Sequence, residues 1–306
     1  MPRVAYLGPE GTFTEAALLQ MATGDVIPGS APVEPLPFDS PEATLAAVRA
    51  GVADFACAPI ENSIEGSVVP TMDSLVGGTE LQIYAEHTLD VAFSIVVRDG
   101  TPASAVTTVA AFPVAAAQVK RWLADNLPGA RVVPASSNAA AAHDVANGRA
   151  DAGVSTALAA QRLALPTIAD GVVDEPNART RFVLIGPPGP PPQRTGADRT
   201  SVALRLDNVP GALVSAMTEF AIRDIDLTRI ESRPTRTELG TYVFFLDCVG
   251  HIDDDQVAEA LRALYRRCAS VRYLGSWPTG AVVGATPPAT DEASRWLVGL
   301  REGQPR

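Results

Sequence analysis

Three consecutive residues, Thr180, Arg181 and Phe182, place a hydroxyl, a guanidinium and an aromatic ring at the start of an apolar run. The hydroxyl can donate a hydrogen bond, the guanidinium can hold an anion with its fork of donors, and the ring can wall a pocket. They follow the turn residues Pro176 and Asn177, so they stand where a loop enters a buried strand. Ligands collect at such junctions in open α/β sheets. The same residue types also occur at an ordinary strand start with a solvated charge. Other parts of the sequence are needed to distinguish this interpretation from a ligand site.

Two other polar loops follow predicted strands. Residues 8–14 join the apolar segment 3–7 to a predicted helix through a glycine turn, which is a generic anion site without a nucleotide-binding fingerprint. Residues 61–67 follow the apolar segment 54–59 and include Asn62 and Ser63. Those two residue types also serve ordinary turns and helix caps. We expect the three loops to converge on one cleft.

Composition limits the class of protein. The chain has 306 residues, 46% hydrophobic and 19% charged, which predicts about two folded domains. Its net charge of −11 argues against nucleic-acid and membrane partners. The three cysteines lack zinc or redox spacing, and we see no secretion signal or membrane-spanning run. We therefore expect a soluble cytoplasmic protein with no metal site, and assign no chemistry to the three histidines.

An internal sequence repeat, which we call the echo, predicts two similar lobes. Residues 40–54 and 137–151 align without a gap at an offset of 97, and both indicate a serine cap, a helix, a Gly-x-Ala-Asp turn and a strand. We predict that residues 1–186 form two α/β lobes, with one helix over residues 113–127 in the second. A small ligand is expected in the cleft between such lobes.

A proline-rich linker over residues 187–198 marks the domain boundary. Residues 199–279 follow the order βαββαβ, which is a ferredoxin-like unit. The tail over residues 280–306 is rich in proline, glycine and charge, and we expect it to be mobile beyond Thr279.

Specific motifs resemble the prephenate dehydratase family. The segments 8–14 (GPEGTFT), 59–67 (PIENSIEGS) and 180–182 (TRF) are similar to its three hallmark segments. The segments 211–214 (GALV) and 227–234 (LTRIESRP) resemble the ligand-binding turn and second signature of its regulatory ACT domain. The resemblance covers about nine-tenths of the chain in the family's order. It implies a two-lobed catalytic domain resembling periplasmic binding proteins, followed by an ACT domain.

The resemblance also implies a reaction. Prephenate would lose water and carbon dioxide to give phenylpyruvate, without a cofactor, and Thr180 would donate to the departing hydroxyl. Arg181 would hold a carboxylate and Phe182 would exclude water. We expect Glu61 and Glu65 to be structural. The substrate-binding residues, expected on the lobe opposite Thr180, would be Thr12, Phe13, Thr14, Asn62, Ser63 and Ser67.

Feedback control by phenylalanine is implied as well, with the ACT domains pairing in a homodimer or homotetramer. The implied phenylalanine-binding residues are Asn208, Gly211, Ala212, Leu213, Glu231, Ser232, Arg233 and Pro234.

The sequence departs from the family pattern at two places and leaves rival functions open. Residues 111–114 (AFPV) stand where relatives often have a serine–histidine–proline run, and Ala178 stands where a second asparagine is common. Arogenate dehydratases share the architecture. A solute-binding protein also has a two-lobed cleft, and an amino-acid-responsive regulator also has a sensor domain. The missing export signal argues against the first, and the acidic charge without a helix-turn-helix against the second.

Overall fold

The structure is a computed structural model that describes residues 1–24, 26–27, 32–236, 238–281, 283–285 and 291–303. The chain divides into two units. The first consists of Met1–Ser74 and His87–Ile185, and the second of Leu75–Glu86 and Gly186–Arg306. Residues 75–86 thus belong with the second unit, although they precede most of the first in sequence.

Short strands and helices alternate along residues 1–186. The strands are β1 (Arg3–Leu7), β2 (Glu34–Phe38), β3 (Phe55–Asn62), β4 (Gly66–Ser67), β5 (Gln82–Asp90), β6 (Phe93–Val97), β7 (Thr108–Ala111), β8 (Arg131–Pro134), β9 (Ala152–Ser155), β10 (Thr167–Val172) and β11 (Arg179–Gly186). The helices are α1 (Phe13–Thr23), α2 (Pro41–Arg49), α3 (Val69–Val76), α4 (Pro113–Gln118), α5 (Lys120–Asn126), α6 (Asn138–Ala146) and α7 (Ala157–Arg162).

Two sheets define two lobes. The first sheet has the order β2-β1-β3-β11-β5, with β4 paired to β3, and the second has the order β10-β6-β9-β7-β8. We call the first sheet with α1–α3 the first lobe, and the second sheet with α4–α7 the second lobe. In each sheet three parallel strands, β2-β1-β3 or β8-β7-β9, are followed by an antiparallel one, β11 or β6.

The 97-residue echo is confirmed in this repeated layout. Ser40 and Ser137 cap α2 and α6, each accepting a hydrogen bond from the backbone N–H three residues later. Gly51 and Gly148, which follow these helices, have φ of 69° and 70°, a conformation that glycine adopts without strain. Local chemistry therefore builds the same turn twice.

The aspartates of the echo also have equivalent roles. Asp54 accepts a hydrogen bond from the backbone N–H of Arg3, beside β1, and Asp151 accepts those of Thr107 and Thr108, beside β7. The Arg3 side chain lowers the pKa of Asp54, and the Thr107 hydroxyl, followed by the adjacent backbone amides, lowers that of Asp151 to about 2. Each carboxylate thus fixes the start of the middle one of the three parallel strands in its sheet.

Three local predictions needed correction. The helix predicted over residues 113–127 is two helices, because Val119 leaves helical geometry at φ −125° while the Gln118 carbonyl accepts from Asp174 N–H. The strands β2 and β10 were not predicted. Pro35 and Pro37 obscure β2, and they are tolerated because β2 is an edge strand that pairs with β1 alone.

The hydrophobic core of each lobe lies between its sheet and its helices. In the second lobe, Val109 and Val154 are fully buried on the sheet and pack with Ala115 and Val119 of the α4 region. On the other face α6 approaches so closely that a Cβ on Gly153 would lie 2.9 Å from the Ala141 carbonyl oxygen. The alanine-rich composition of α6 is therefore a packing requirement.

The second unit has the predicted order βαββαβ. Its sheet has the order β13-β14-β12-β15, and every pairing is antiparallel. The elements are β12 (Asp198–Arg205), α8 (Ala212–Ala221), β13 (Leu227–Pro234), β14 (Tyr242–Val249), α9 (Asp255–Arg267), β15 (Ser270–Pro278) and α10 (Asp291–Arg301).

Residues 291–301 of the tail form α10, which was not predicted, and the mobility expected beyond Thr279 stays a prediction. The Ser294 hydroxyl donates to Asp255 of α9, and this contact holds α10 to the second unit. The segment has a run of apolar side chains after residue 295, which favours a helix. The proline-rich sequence just before it argues against one.

The second unit contains a buried ion pair. Arg199 of β12 donates to Glu86 at 2.6 Å, and the Trp277 indole N–H donates to the same carboxylate oxygen at 3.0 Å. Both charged side chains are less than one-tenth exposed. Each charge therefore depends on the other for its compensation.

We expect Arg199→Met to lower the free energy of unfolding of the second unit by about 3–5 kcal/mol, because Glu86 would stay buried without its guanidinium. Combining it with Glu86→Gln removes both charges and keeps an acceptor for Trp277, so the double variant should lose less. Urea denaturation followed by circular dichroism measures both. Arg194→Met, which breaks an exposed pair with Asp254, is the control and should cost at most about 1 kcal/mol. Equal losses in the single and double variants would contradict this account.

Candidate active site

Thr180 and Asn62 meet across two neighbouring strands. They are register partners in the antiparallel pair β11–β3, and Asn62 Nδ2 donates to Thr180 Oγ1 at 2.8 Å. Thr180 is 8% exposed. Since β1 and β3 are parallel and β11 is antiparallel to them, the end of β3, the end of β1 and the start of β11 lie at one edge of the first sheet. The three loops thus start from the same edge of the sheet, as expected, and their convergence on one cleft stays a prediction.

The surroundings of Asn62 fix which way its amide points. Its Oδ1 accepts hydrogen bonds from the backbone N–H groups of Ile64 at 2.8 Å and Glu65 at 2.9 Å. Backbone N–H groups only donate, so the oxygen must face them and the NH₂ group must face Thr180. Thr180 Oγ1 consequently accepts from Asn62, and its own proton points elsewhere. Among the described residues Asn62 is the one hydrogen-bond partner of this hydroxyl, so its proton is available for another acceptor.

Arg181 points away from Thr180. Successive side chains of a strand alternate between its two faces, and Arg181 pairs with its own register partner Glu61 at 2.9 Å. The guanidinium side chain is 9% exposed and the Glu61 side chain 42%. Alternation thus places the hydroxyl and the guanidinium on opposite faces of β11, and a direct role of Arg181 at a carboxylate stays a prediction. Glu61 serves this ion pair, in agreement with its expected structural role.

Ser63 ties the two loops together. Its hydroxyl accepts from Arg179 N–H at 2.9 Å and donates to the Asn177 carbonyl at 3.1 Å. The Ser63 N–H also donates to the Arg179 carbonyl. Three hydrogen bonds thus position the segment just before Thr180. Ser67 of β4 pairs with Glu61 on the opposite side of β3 from β11.

The predicted distribution of these residues between the lobes is wrong. Thr12, Thr14, Asn62, Ser63 and Ser67 belong to the first lobe, and so does Thr180. Thr180 follows the whole second lobe in sequence, which suggested that it belongs there. The chain instead returns to the first sheet through β11, so one lobe carries the hydroxyl and all five polar candidates.

The glycine loop of residues 8–12 leads into α1. Thr12 caps α1: its hydroxyl donates to the Leu7 carbonyl at 3.0 Å and accepts from Glu15 N–H at 3.4 Å. Thr14 is buried in the first turn. Phe13 stacks edge-on against Phe93 of the second lobe, with ring centroids 5.6 Å apart. Thr12 and Phe13 thus have structural roles in addition to any contact with a ligand.

Phe182 is also part of the protein interior. It is 2% exposed and faces Pro59 across the β11–β3 register. Its role as a pocket wall stays a prediction.

Sequence reasoning missed three residues that hold the glycine loop: Glu15, Thr156 and Arg162. Thr156 is readable from sequence only as a helix cap. The pairing of Glu15 with Arg162 joins positions 147 residues apart, and we find no sequence signal that would reveal it.

The predicted regulatory residues lie on two elements of the second unit. Gly211 is the residue before α8 and has φ of 80°, which explains the glycine there by backbone conformation alone. Asn208 is exposed in the preceding turn. The segment 231–234 belongs to β13, the first strand in the order of its sheet. A cavity of about 210 Å³ in the second unit lies by the start of α8 and the end of α9. Its lining includes Ala212 but not the β13 residues.

We searched the described residues for metal-binding groups and for membrane-spanning helices. No group of three or more His, Cys, Asp or Glu side chains is arranged to hold a metal ion. No helix in the described ranges has the length and apolar character that crossing a membrane requires.

Comparisons with known proteins agree along the whole chain. The sequence matches the family described as prephenate dehydratase over residues 4–189 and the ACT domain family over residues 200–264. A prephenate dehydratase of Mycobacterium sp. (strain JLS) is 72% identical over 309 residues, which cover 100% of this chain and 98% of that protein. The chain belongs to the prephenate dehydratase family.

Solved structures support the fold. The crystal structure of a prephenate dehydratase from Arthrobacter aurescens in complex with L-Phe is 38% identical, with a TM-score of 0.86, over 98% of this chain and 99% of that one. A protein described as a novel type of quorum-quenching acylase is 28% identical, with a TM-score of 0.80, over 90% and 97%. The fold class predicted from the sequence is confirmed. The second likeness also shows that this fold is not tied to one reaction.

The family departures lie in the second lobe and at the β11 entry. Ala111 ends β7, and Phe112 precedes α4 without a side-chain cap, so this chain has no hydroxyl or imidazole where many prephenate dehydratases have both. Ala178 is buried, and its carbonyl accepts from Val91 N–H. The Thr180–Asn62 pair does not depend on either position.

Proposed function

We propose that this protein converts prephenate to phenylpyruvate, water and carbon dioxide, with Thr180 as the hydrogen-bond donor to the departing hydroxyl. The observation that carries the proposal is the orientation of that hydroxyl: Asn62 occupies its oxygen and leaves its proton for a ligand. The 72% identity to a prephenate dehydratase over the whole chain supports the choice of substrate.

The proposed reaction needs no external oxidant or reductant. Prephenate has a carboxylate and a hydroxyl on one ring. The electron pair of the ring–carboxylate bond moves into the ring as carbon dioxide leaves, the ring becomes aromatic, and the C–O bond breaks with one proton taken up to form water. The steps balance without an external redox partner. A threonine hydroxyl is a weak acid, so we assign it a hydrogen bond that strengthens as the oxygen gains charge, rather than a full proton transfer.

Arg181 has a charge-balancing role in this proposal. Its ion pair with Glu61 neutralises a carboxylate close to the Thr180–Asn62 pair, and this lowers the repulsion that a dianion would meet. To bind the substrate carboxylate directly, Arg181 would have to break its ion pair with the partly exposed Glu61 and pair with the substrate instead. Phe182, Thr12, Phe13, Thr14, Ser63 and Ser67 remain the proposed surroundings of the substrate, and the start of α1 adds the positive end of a helix dipole.

We further propose that phenylalanine regulates the enzyme through the second unit. The ACT family match and the L-Phe in the Arthrobacter aurescens structure support this ligand. The turn at residues 208–213 and the strand at residues 231–234 are the proposed binding elements. A homodimer or homotetramer, and a cytoplasmic location, are part of the same proposal. Arogenate as an alternative substrate is to be compared directly with prephenate.

Thr180→Ala should keep the fold and lower kcat by a factor on the order of 10²–10³, because one preorganised donor to a developing charge is lost. Thr180→Ser, which retains a hydroxyl, should keep most of the rate. Absorbance of phenylpyruvate in strong base measures the product, with prephenate and arogenate assayed side by side. Wild-type protein that binds prephenate without turnover would favour a solute-binding function instead.

Asn62→Asp tests the orientation of the hydroxyl. The carboxylate can still accept from Ile64 and Glu65, but it has no proton for Thr180, so the Thr180 hydroxyl would turn to donate to it. We expect kcat to fall by about the same factor as in Thr180→Ala, and the double variant to be no slower than either. Asn62→Ala, which adds no charge, separates this effect from repulsion of the dianion. Fully additive losses in the double variant would argue against one shared interaction.

L-phenylalanine at millimolar concentration should lower the rate, because it binds one arrangement of the regulatory unit in preference to another. Leu213→Ala should weaken the inhibition by removing part of the apolar wall around the ligand. Val214→Ala, a change to the adjacent and more exposed residue, is the matched control and D-phenylalanine the ligand control. A rate unaffected by L-phenylalanine would leave the ACT domain as a scaffold.

A further inference from the structure

A buried carboxylate organises the glycine loop. Glu15 is 1% exposed, and its Oε2 accepts from the Gly11 N–H at 2.6 Å. Its other oxygen, Oε1, is held by Arg162, which also binds Glu10 at 2.9 Å. One side chain thus connects the backbone of the loop to a guanidinium at the end of α7.

Thr156 holds the same glycine from its other side. Its hydroxyl donates to the Gly11 carbonyl and accepts from Ala159 N–H at 3.0 Å, so it caps α7 and binds the loop at once. Gly11 has φ of 85°, and a Cβ there would lie 2.9 Å from the Ala159 side chain. Helix α7 therefore packs directly on the loop.

These contacts join the two lobes. The loop and α1 belong to the first lobe, whereas Thr156 and α7 follow β9 of the second. The loop leads directly to Thr12, Phe13 and Thr14. The residues proposed for chemistry, Thr180 and Asn62, both lie in the first sheet and are hydrogen-bonded to each other.

We propose that Glu15, Thr156 and Arg162 form an interlobe latch, and that Arg162 is a positioning residue that holds the glycine loop against the second lobe when prephenate is bound. The inference rests on the proposed function. The latch favours the arrangement in which both lobes enclose the substrate, so it contributes to substrate affinity. The hydroxyl of Thr180 is oriented without it, so the chemical step does not depend on it.

A purely structural ion pair is the competing explanation. Burial of a carboxylate is costly unless the geometry is good, and simpler apolar packing would hold two lobes in one fixed position. Here both oxygens of Glu15 are used, one by the loop and one by the other lobe. Arg162 remains 36% exposed, so its bonds can break without unfolding the core. These features suit a contact that opens and closes.

The test uses Arg162→Met and Arg162→Lys in the full chain. We expect the methionine variant to raise KM for prephenate about tenfold or more, with kcat within about threefold, because a charge-assisted hydrogen bond made on closure is lost. The lysine variant should recover part of the affinity. Loss of folded protein alone would lower the apparent kcat and leave KM unchanged, and that result would overturn the proposal.

Two further variants separate stability from positioning. Arg162→Met combined with Glu15→Gln leaves no buried charge and keeps an acceptor for Gly11 N–H, so it should recover Tm but not KM. Recovery of both would overturn the latch. Arg149→Met, which breaks an exposed ion pair beside α6 in the same lobe, should leave KM unchanged.

Hydrogen exchange gives a readout that does not need turnover. The Gly11 amide should exchange faster in Arg162→Met than in wild type, because Glu15 loses the partner that fixes it, whereas Arg149→Met should not change it. If wild-type protein does not turn over prephenate, the proposed function fails and this measurement alone decides whether Arg162 holds the loop. Unchanged Gly11 exchange in Arg162→Met would overturn the latch whatever the kinetics.

Discussion

The hydrogen bond from Asn62 to Thr180 joins residues 118 positions apart, and the candidate site depends on it. It requires the antiparallel register of β3 and β11, and it requires the turn in which Asn62 Oδ1 accepts from Ile64 and Glu65. The turn makes the asparagine a donor, and the register brings the hydroxyl to it. The tie from Ser63 to Arg179 keeps both strands aligned at that point.

The duplicated lobes have diverged in what they contribute. Both contain the same three parallel strands, the same capped crossover helix and the same aspartate at the start of the middle parallel strand. In the first lobe, the strand ends carry the amide and hydroxyl groups of the candidate site. In the second, the corresponding β9 end leads to Thr156 and Arg162, which contact the first lobe instead. One lobe thus carries the candidate site, and the other holds the glycine loop beside it.

Local sequence signals predicted most of the fold, because caps and turns act within a few residues. Ser40 and Ser137 mark their helices whatever the rest of the chain does. The pairing of β11 with β3 joins strands that are far apart in sequence, and no local pattern predicts it. Thr180 was therefore assigned to the wrong lobe. The ion pair between Arg181 and Glu61 follows from that same register, and it was missed for the same reason.

Charge balance links this geometry to the proposed reaction. The chain has a net charge of −11, yet its proposed substrate is a dianion. Arg179, Arg181 and Arg162, which lie near the loops, each bind protein carboxylates, so none of them adds an uncompensated charge. Neutral amide and hydroxyl donors are then left to orient the substrate. A strong cation on the ring carboxylate would stabilise the ground state more than the transition state, because that charge disappears as carbon dioxide forms. In the proposed reaction, weak, directional donors would avoid that penalty while still fixing the leaving hydroxyl against Thr180.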